Sequence, residues 1–152
     1  TNKEKAKIII SGRNKHFLNI CGEHLSVDNM NQAVFTTAKK MGISITEYTV
    51  SGIESGNFFA HKWYIGSNQK FDHKVFIHEL DKELSRTNDD YATERTSVLM
   101  EPQIEVVSPE LFYKWLENNS RSTGQSKIPR VMKKDQHISW SKFLNSSGVL
   151  TQ

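Results

Sequence analysis

A chain of 152 residues, 36% apolar and 24% charged, suits one globular domain with a real core and excludes both a disordered tail and a small disulfide scaffold. Its formal charge of +3 is a small excess that would suit nucleotide phosphates or an acidic partner, and selects neither. One cysteine, Cys21, cannot form an internal disulfide, no apolar run approaches a membrane span, and Thr1-Asn2-Lys3-Glu4-Lys5 lacks the apolar core of a secretion signal, so a cytoplasmic protein is expected.

The chain begins without methionine and reaches Ile8-Ile9-Ile10 almost at once, as a piece of a longer protein would. Ala6 to Ser11 reads as a strand, Gly12-Arg13-Asn14 as a turn, and Phe17, Leu18 and Ile20 as a second strand. Ser26 can cap a helix whose apolar positions Val27, Met30, Val34, Ala38 and Met41 recur at helical spacing and which Gly42 would end. Ile43 to Val50 reads as a strand. Phe59, His61, Trp63 and Ile65 alternate with Ala60, Lys62 and Tyr64 as a half-buried strand does, and the two strands should pair.

Phe76, Leu80 and Leu84, with Ile77 and Tyr91, predict a long amphipathic helix interrupted around Asn88-Asp89-Asp90. Ile104, Val106 and Val107 predict a strand. Ser108-Pro109 is a helix start, a capping hydroxyl followed by proline at the first helical position, and Phe112, Trp115 and Leu116 should face inward. Asn118 to Lys127 carries no large apolar residue and reads as a surface loop, and Ile138 to Leu144 as a short closing element. Strands interleaved with helices on one small mixed sheet make an α+β domain spanning 1–152.

Two basic motifs invite a chemical reading. A lysine on a Gly/Ser loop, Lys127, can swing into a neighbouring site and place a cation where negative charge gathers, with Arg130 as a second cation. Taken alone, such a lysine is most often a solvated surface residue. Arg13 and Lys15 sit at a turn, where exposed cations usually carry no function. Cys21-Gly22-Glu23-His24 brings a thiol, a carboxylate and an imidazole together, but no second cysteine pair and no His-x-x-x-His completes a zinc set, so neither a metal nor a cysteine nucleophile is expected. His61, His73 and His78 read as packing or surface residues.

Several local motifs fall in one order. Ile10-Ser11-Gly12-Arg13-Asn14-Lys15-His16-Phe17-Leu18-Asn19, followed by Gly22-Glu23-His24-Leu25, resembles the segment joining the large and small domains of acyl-adenylate-forming enzymes. Ile45-Thr46-Glu47-Tyr48-Thr49, His61-Lys62-Trp63-Tyr64-Ile65, Leu80-Asp81 with Asn88-Asp89-Asp90-Tyr91 and Arg95, and Gly124-Gln125-Ser126-Lys127-Ile128-Pro129-Arg130 narrow the likeness. Together they resemble the bacterial branch of the auxin-responsive promoter family of acyl-acid amido synthetases, from about Ala6 to Leu144.

The resemblance implies the C-terminal lid of a ligase that activates a carboxylic acid with ATP and magnesium and then passes the acyl group to an amine or amino acid. By resemblance Lys127 is the mobile catalytic lysine, Lys15 the hinge within a segment near 11–16, and Arg13 a nucleotide-binding residue. Gly22, Glu23, His24, Gln125 and Arg130 would line the site. The large N-terminal adenylation domain, expected to hold ATP and magnesium, is absent from these residues, so the fragment alone is expected to be inactive, with its own N-terminal domain as principal partner. Rival readings are the lid of a coenzyme A ligase, or a free-standing basic module for RNA or an acidic partner; the lid reading expects neither nucleic acid nor membrane as partner.

Overall fold

The structure, a computed structural model, describes residues 17–123 and 127–147, with the backbone alone at 120–123. The expected strand at 6–11, Arg13, Lys15 and Gln125 lie outside the described residues. Helix α1 (Val27–Met41) starts where the sequence says it should: the Ser26 hydroxyl accepts from the Asn29 N–H at 3.1 Å, and Gly42 ends the helix. Strands β1 (Glu47–Ser55) and β2 (Phe58–Gly66) form an antiparallel hairpin, with Glu47 opposite Gly66 and Ser55 opposite Phe58.

Helix α2 (His73–Thr87) is capped by Asp72, which accepts from the N–H groups of Lys74 and Val75 at 2.9 and 3.1 Å. Asn88 then interrupts the helical run as expected. Its N–H closes α2 on the Leu84 carbonyl, and its side chain opens α3 (Asp89–Arg95) by accepting from the Tyr91 N–H at 2.8 Å. Strand β3 (Gln103–Val107) lies parallel to β2, with Lys62 opposite Gln103 and Gly66 opposite Val107. Parallel neighbours need a crossover, which α2 and α3 supply. Helices α4 (Pro109–Thr123) and α5 (Lys134–Ser146) complete the chain.

The sheet order β1-β2-β3 gives two buried faces. Tyr48, Val50, Trp63 and Ile65 pack on one side against Met30 and Val34 of α1, Phe76, Leu80 and Leu84 of α2, and Tyr91 of α3. Tyr64 and Val107 face the other side, against Phe112 and Trp115 of α4 and Trp140 and Leu144 of α5. There the Trp140 ring stacks on Phe112 at 4.8 Å and meets Trp115 edge-on at 5.6 Å. Among the described residues the domain is thus the expected α+β fold, a three-stranded mixed sheet between two layers of helices. No helix among the described residues is long and apolar enough to cross a membrane.

Three local expectations change. The loop read at Asn118 to Lys127 is, as far as Thr123, the last part of α4. The apolar stripe ends at Leu116 and Glu117 and Asn118 are exposed, so hydropathy loses the signal while the backbone stays helical. Asn119 joins that turn by donating to the Trp115 carbonyl at 2.9 Å. Strand β1 begins at Glu47 rather than Ile43 and runs to Ser55, because hairpin pairing rather than composition sets its length. The strand expected at Phe17 to Ile20 is reduced to one antiparallel bridge, Leu18 to Leu25.

Gly66 marks the tightest joint between sheet and helix. A Cβ there would lie 2.9 Å from Phe112 Cε2 and 3.1 Å from the Glu47 carbonyl oxygen. Phe112 is fully buried and cannot retreat. Gly66→Ala should therefore destabilise the domain by about 1–3 kcal/mol through overpacking, read as a lower urea midpoint with an unchanged denaturant slope.

Candidate functional site

Lys127 is exposed, and the residues after it are fastened to the outer edge of β1. Thr49 Oγ1 donates to the Pro129 carbonyl at 2.7 Å, the Val50 N–H to the Arg130 carbonyl at 2.9 Å, and the Met132 N–H to the Val50 carbonyl at 2.9 Å. Val131 thus bridges Val50 in parallel register, a fragment of a fourth strand. Arg130 secures it. Its Nη1 donates to Glu47 Oε1 at 2.6 Å and to the Tyr48 carbonyl at 2.8 Å, and its guanidinium lies 4.6 Å from the centre of the Tyr48 ring. A lysine meant to reach across an interface gains from such an anchor, because only its own stem has to be positioned.

The second group is the loop after Phe17. Two backbone bonds between Leu18 and Leu25, at 2.8 and 3.0 Å, close its neck. Glu23 is fully buried inside it. Its carboxylate accepts from the N–H groups of Ile20 and Cys21, each at 2.9 Å, and pairs with His61 Nε2 at 2.6 Å. Burial by itself would raise this carboxyl, but the His61 bond, the two backbone donors and the His61 charge outweigh it and bring it from an ordinary 4.5 down to about 2. Burial, then the Glu23 charge and its hydrogen bond, push the Cys21 thiol up to about 12. At neutral pH it stays a thiol, an inert packing group.

Beneath the loop, the motif residues of α2 and α3 form its scaffold. Asp81 receives the Tyr91 hydroxyl at 2.6 Å and both Nε and Nη2 of Arg95 at 2.9 Å, while Arg95 Nη1 donates to the Leu99 carbonyl at 3.0 Å. The Tyr91 ring lies 5.9 Å from the His61 ring, so this network touches the Glu23–His61 pair. His24, the next residue, is exposed and has a left-handed backbone, φ 44°. Asn88 Nδ2 donates to its carbonyl at 3.1 Å, and its Nδ1 lies 3.2 Å from Asp90 Oδ2.

Between the loop and the edge segment runs a cleft of about 670 Å³, lined by Ile20, Gly52, Glu54, Met132, Lys133 and His137 among others. Gly52 is required there: a Cβ would come 2.7 Å from Ile20 Cγ2. His137 accepts or donates with the Tyr64 hydroxyl at 2.8 Å, and its imidazole is held below its usual range by burial and the Lys62 charge. Among the described residues no group of three His, Cys, Asp or Glu could hold a metal ion.

The sequence profile of the GH3 family C-terminal domain matches residues 28–136, most of the chain and both helical layers. The chain belongs to that family. Its fold is shared with a solved structure described as "GH3.15 acyl acid amido synthetase", at 18% identity and TM-score 0.68, covering 87% of this chain and 24% of that one. A second, "AtGH3.15 acyl acid amido synthetase in complex with 2,4-DB", matches at 20% identity and TM-score 0.64, over 88% of this chain and 26% of that one. No curated protein sequence matches the chain.

Within this GH3 domain the expected site residues fall into two separate groups. Lys127 and Arg130 belong to the edge of β1 near Glu47 and Tyr48, whereas Gly22, Glu23 and His24 sit by His61, which pairs with Gly52 further along the same strand. The Arg130 guanidinium is engaged with Glu47, so it does not contribute to an open basic patch. His61 was legible only as a packing residue, since its partner lies 38 positions earlier and no local pattern links them. Asp81 and Arg95 were legible as motif residues, not as the network they form.

Glu23→Ala would leave His61 buried against nothing and two N–H groups without an acceptor, a loss of about 3–5 kcal/mol by denaturation. The pH sign follows from a lowered carboxyl: the stabilisation is complete above the ordinary 4.5 and disappears as pH falls toward about 2. The unfolding free energy of the native sequence should decline across that window, and Glu23→Gln should flatten the decline.

Proposed function

We propose that this GH3 domain is the mobile lid of an ATP-dependent acyl-acid amido synthetase, with Lys127 as the group it delivers. The observation that carries this reading is Lys127 itself, exposed immediately before a segment clamped to β1 by Thr49, Val50 and Arg130. In the first half-reaction a carboxylate oxygen attacks the α-phosphorus of ATP and the bond to pyrophosphate breaks. The Lys127 ammonium would bridge the carboxylate and the α-phosphate as charge builds on the phosphoryl oxygens. In the second, an amine attacks the acyl carbon and AMP departs.

The two half-reactions need different groups beside the acyl carbon, which supports a rotation between two poses. Lys15 would be its hinge and Arg13 would hold the nucleotide. Gly22 and His24 would line the second pose, with Glu23 buried beneath them and acting through its hold on His61, and with Gln125 and Arg130 beside the lysine; Arg130 would act through the anchor it makes on Glu47. The preceding adenylation domain, as principal partner, would bind ATP, magnesium and the acid, in a cytoplasmic enzyme.

In the full-length protein, Lys127→Ala should cost adenylation about 3 kcal/mol, a hundredfold or more, measured as acid-dependent exchange of pyrophosphate into ATP. Amide formation from a preformed acyl-adenylate should be largely spared, and equal loss of both half-reactions would overturn the assignment. Lys15→Pro should trap one pose, so that one half-reaction survives and the other fails. Normal rates for both would remove Lys15 from the hinge.

A further inference from the structure

We infer that His24, oriented by Asp90, is the general base of the amide-forming step, taking the proton that the acceptor amine must lose as it attacks the acyl-adenylate. This assignment rests on the lid reading above.

The geometry around His24 is that of a presented imidazole. A left-handed backbone is uncommon for a histidine, and φ 44° is held here by Asn88, whose Nδ2 grips the His24 carbonyl at 3.1 Å. That backbone carries the ring over the first turn of α3, where Nδ1 meets Asp90 Oδ2 at 3.2 Å. A carboxylate on Nδ1 fixes the tautomer with the proton there and leaves the Nε2 lone pair outward. The His24 side chain is 59% exposed, so Nε2 is open to whatever the lid faces.

The loop beneath is too firmly held to be an incidental surface turn. Glu23, its neighbour, is fully buried and bonded to His61, and the Gly22 and His24 N–H groups both point to Asn19 Oδ1, at 3.0 and 3.5 Å. Asp90 from α3 meets the ring; Glu94, also from α3, lies 3.1 Å from where a Gly22 Cβ would be, and Glu23 of the same loop is engaged with His61.

Chemistry supplies the need. When the amine nitrogen bonds to the acyl carbon, the acyl carbon–oxygen bond to phosphate breaks and its electron pair leaves with AMP. The nitrogen, carrying a positive charge, must then release one proton, which passes to His24 Nε2 and leaves an imidazolium paired with Asp90. Nothing is oxidised or reduced. A positioned base of this kind accelerates such a step by roughly 10²–10⁴-fold.

The test uses the full-length enzyme and reads the half-reactions separately. His24→Asn removes the imidazole but keeps a residue that tolerates the left-handed backbone. It should retain pyrophosphate exchange, slow single-turnover amide formation by roughly 10²–10⁴-fold, and abolish the acidic limb of that step's pH profile. His24→Gly, equally compatible with the backbone, should recover amide formation when imidazole is added. Asp90→Asn should slow the same step and displace the same limb. Amide formation with its limb intact in His24→Asn, or no recovery by imidazole in His24→Gly, would overturn the assignment while normal exchange leaves the lid reading standing. Absence of acid-dependent exchange in the unaltered enzyme would overturn the lid reading and this assignment with it.

Discussion

Strand β2 is the member on which both halves of the site depend. It is the central strand, bonded to β1 along one edge and β3 along the other, and its residues alternate between the two cores. Trp63 and Ile65 fix α1 and α2 on one face, while Tyr64 fixes α4 and α5 on the other. Its first half supplies His61, which holds the loop after Phe17, and its pairing partner β1 carries the segment after Lys127. A strand buried on both faces tolerates little displacement, because any shift opens voids in two cores at once. Two segments far apart in sequence thereby share one rigid reference.

That rigidity would suit the rotation proposed above. A hinge concentrates motion in a few backbone dihedrals only if what lies beyond it does not deform. Here the loop closest to the expected hinge is locked by a buried carboxylate, two backbone donors and a histidine, and the histidine touches the Tyr91–Asp81–Arg95 network. If the hinge lies before Phe17 as proposed, rotation there would carry α2, α3 and the sheet with it. At the other edge Arg130 does the same for the lysine segment, and its engagement with Glu47 and Tyr48 explains why an arginine, with its planar fork, serves there better than a second lysine.

What was legible in the sequence was what contiguous residues specify. Ser26 and Gly42 bracket α1, Asn88 breaks the helical run, and Pro109 opens α4, because caps and breakers act on their own neighbours. The end of α4 was not legible, since beyond Leu116 its hydrophobic period stops while the helix runs on to Thr123. Pairings across the fold were equally hidden. Glu23 with His61, and Arg130 with Glu47, join residues 38 and 83 positions apart, and nothing local in either segment names the other. The likeness of motif order located Lys127 and the Gly22–His24 loop as candidates; only the fold separates them.

The separation has its own consequence for how the domain can work. On the proposed reading, Lys127 and His24 serve different half-reactions. They are tied to different stretches of the hairpin, Lys127 through Pro129 and Arg130 on Thr49, Tyr48 and Glu47, and the His24 loop through Glu23 on His61 and Ile20 on Gly52. The cleft of about 670 Å³ lies between the two anchor points, with Ile20 at one wall and Met132 and Lys133 at the other. On the proposed reading, a domain held this rigidly would present Lys127 and then His24 by rotating as a body.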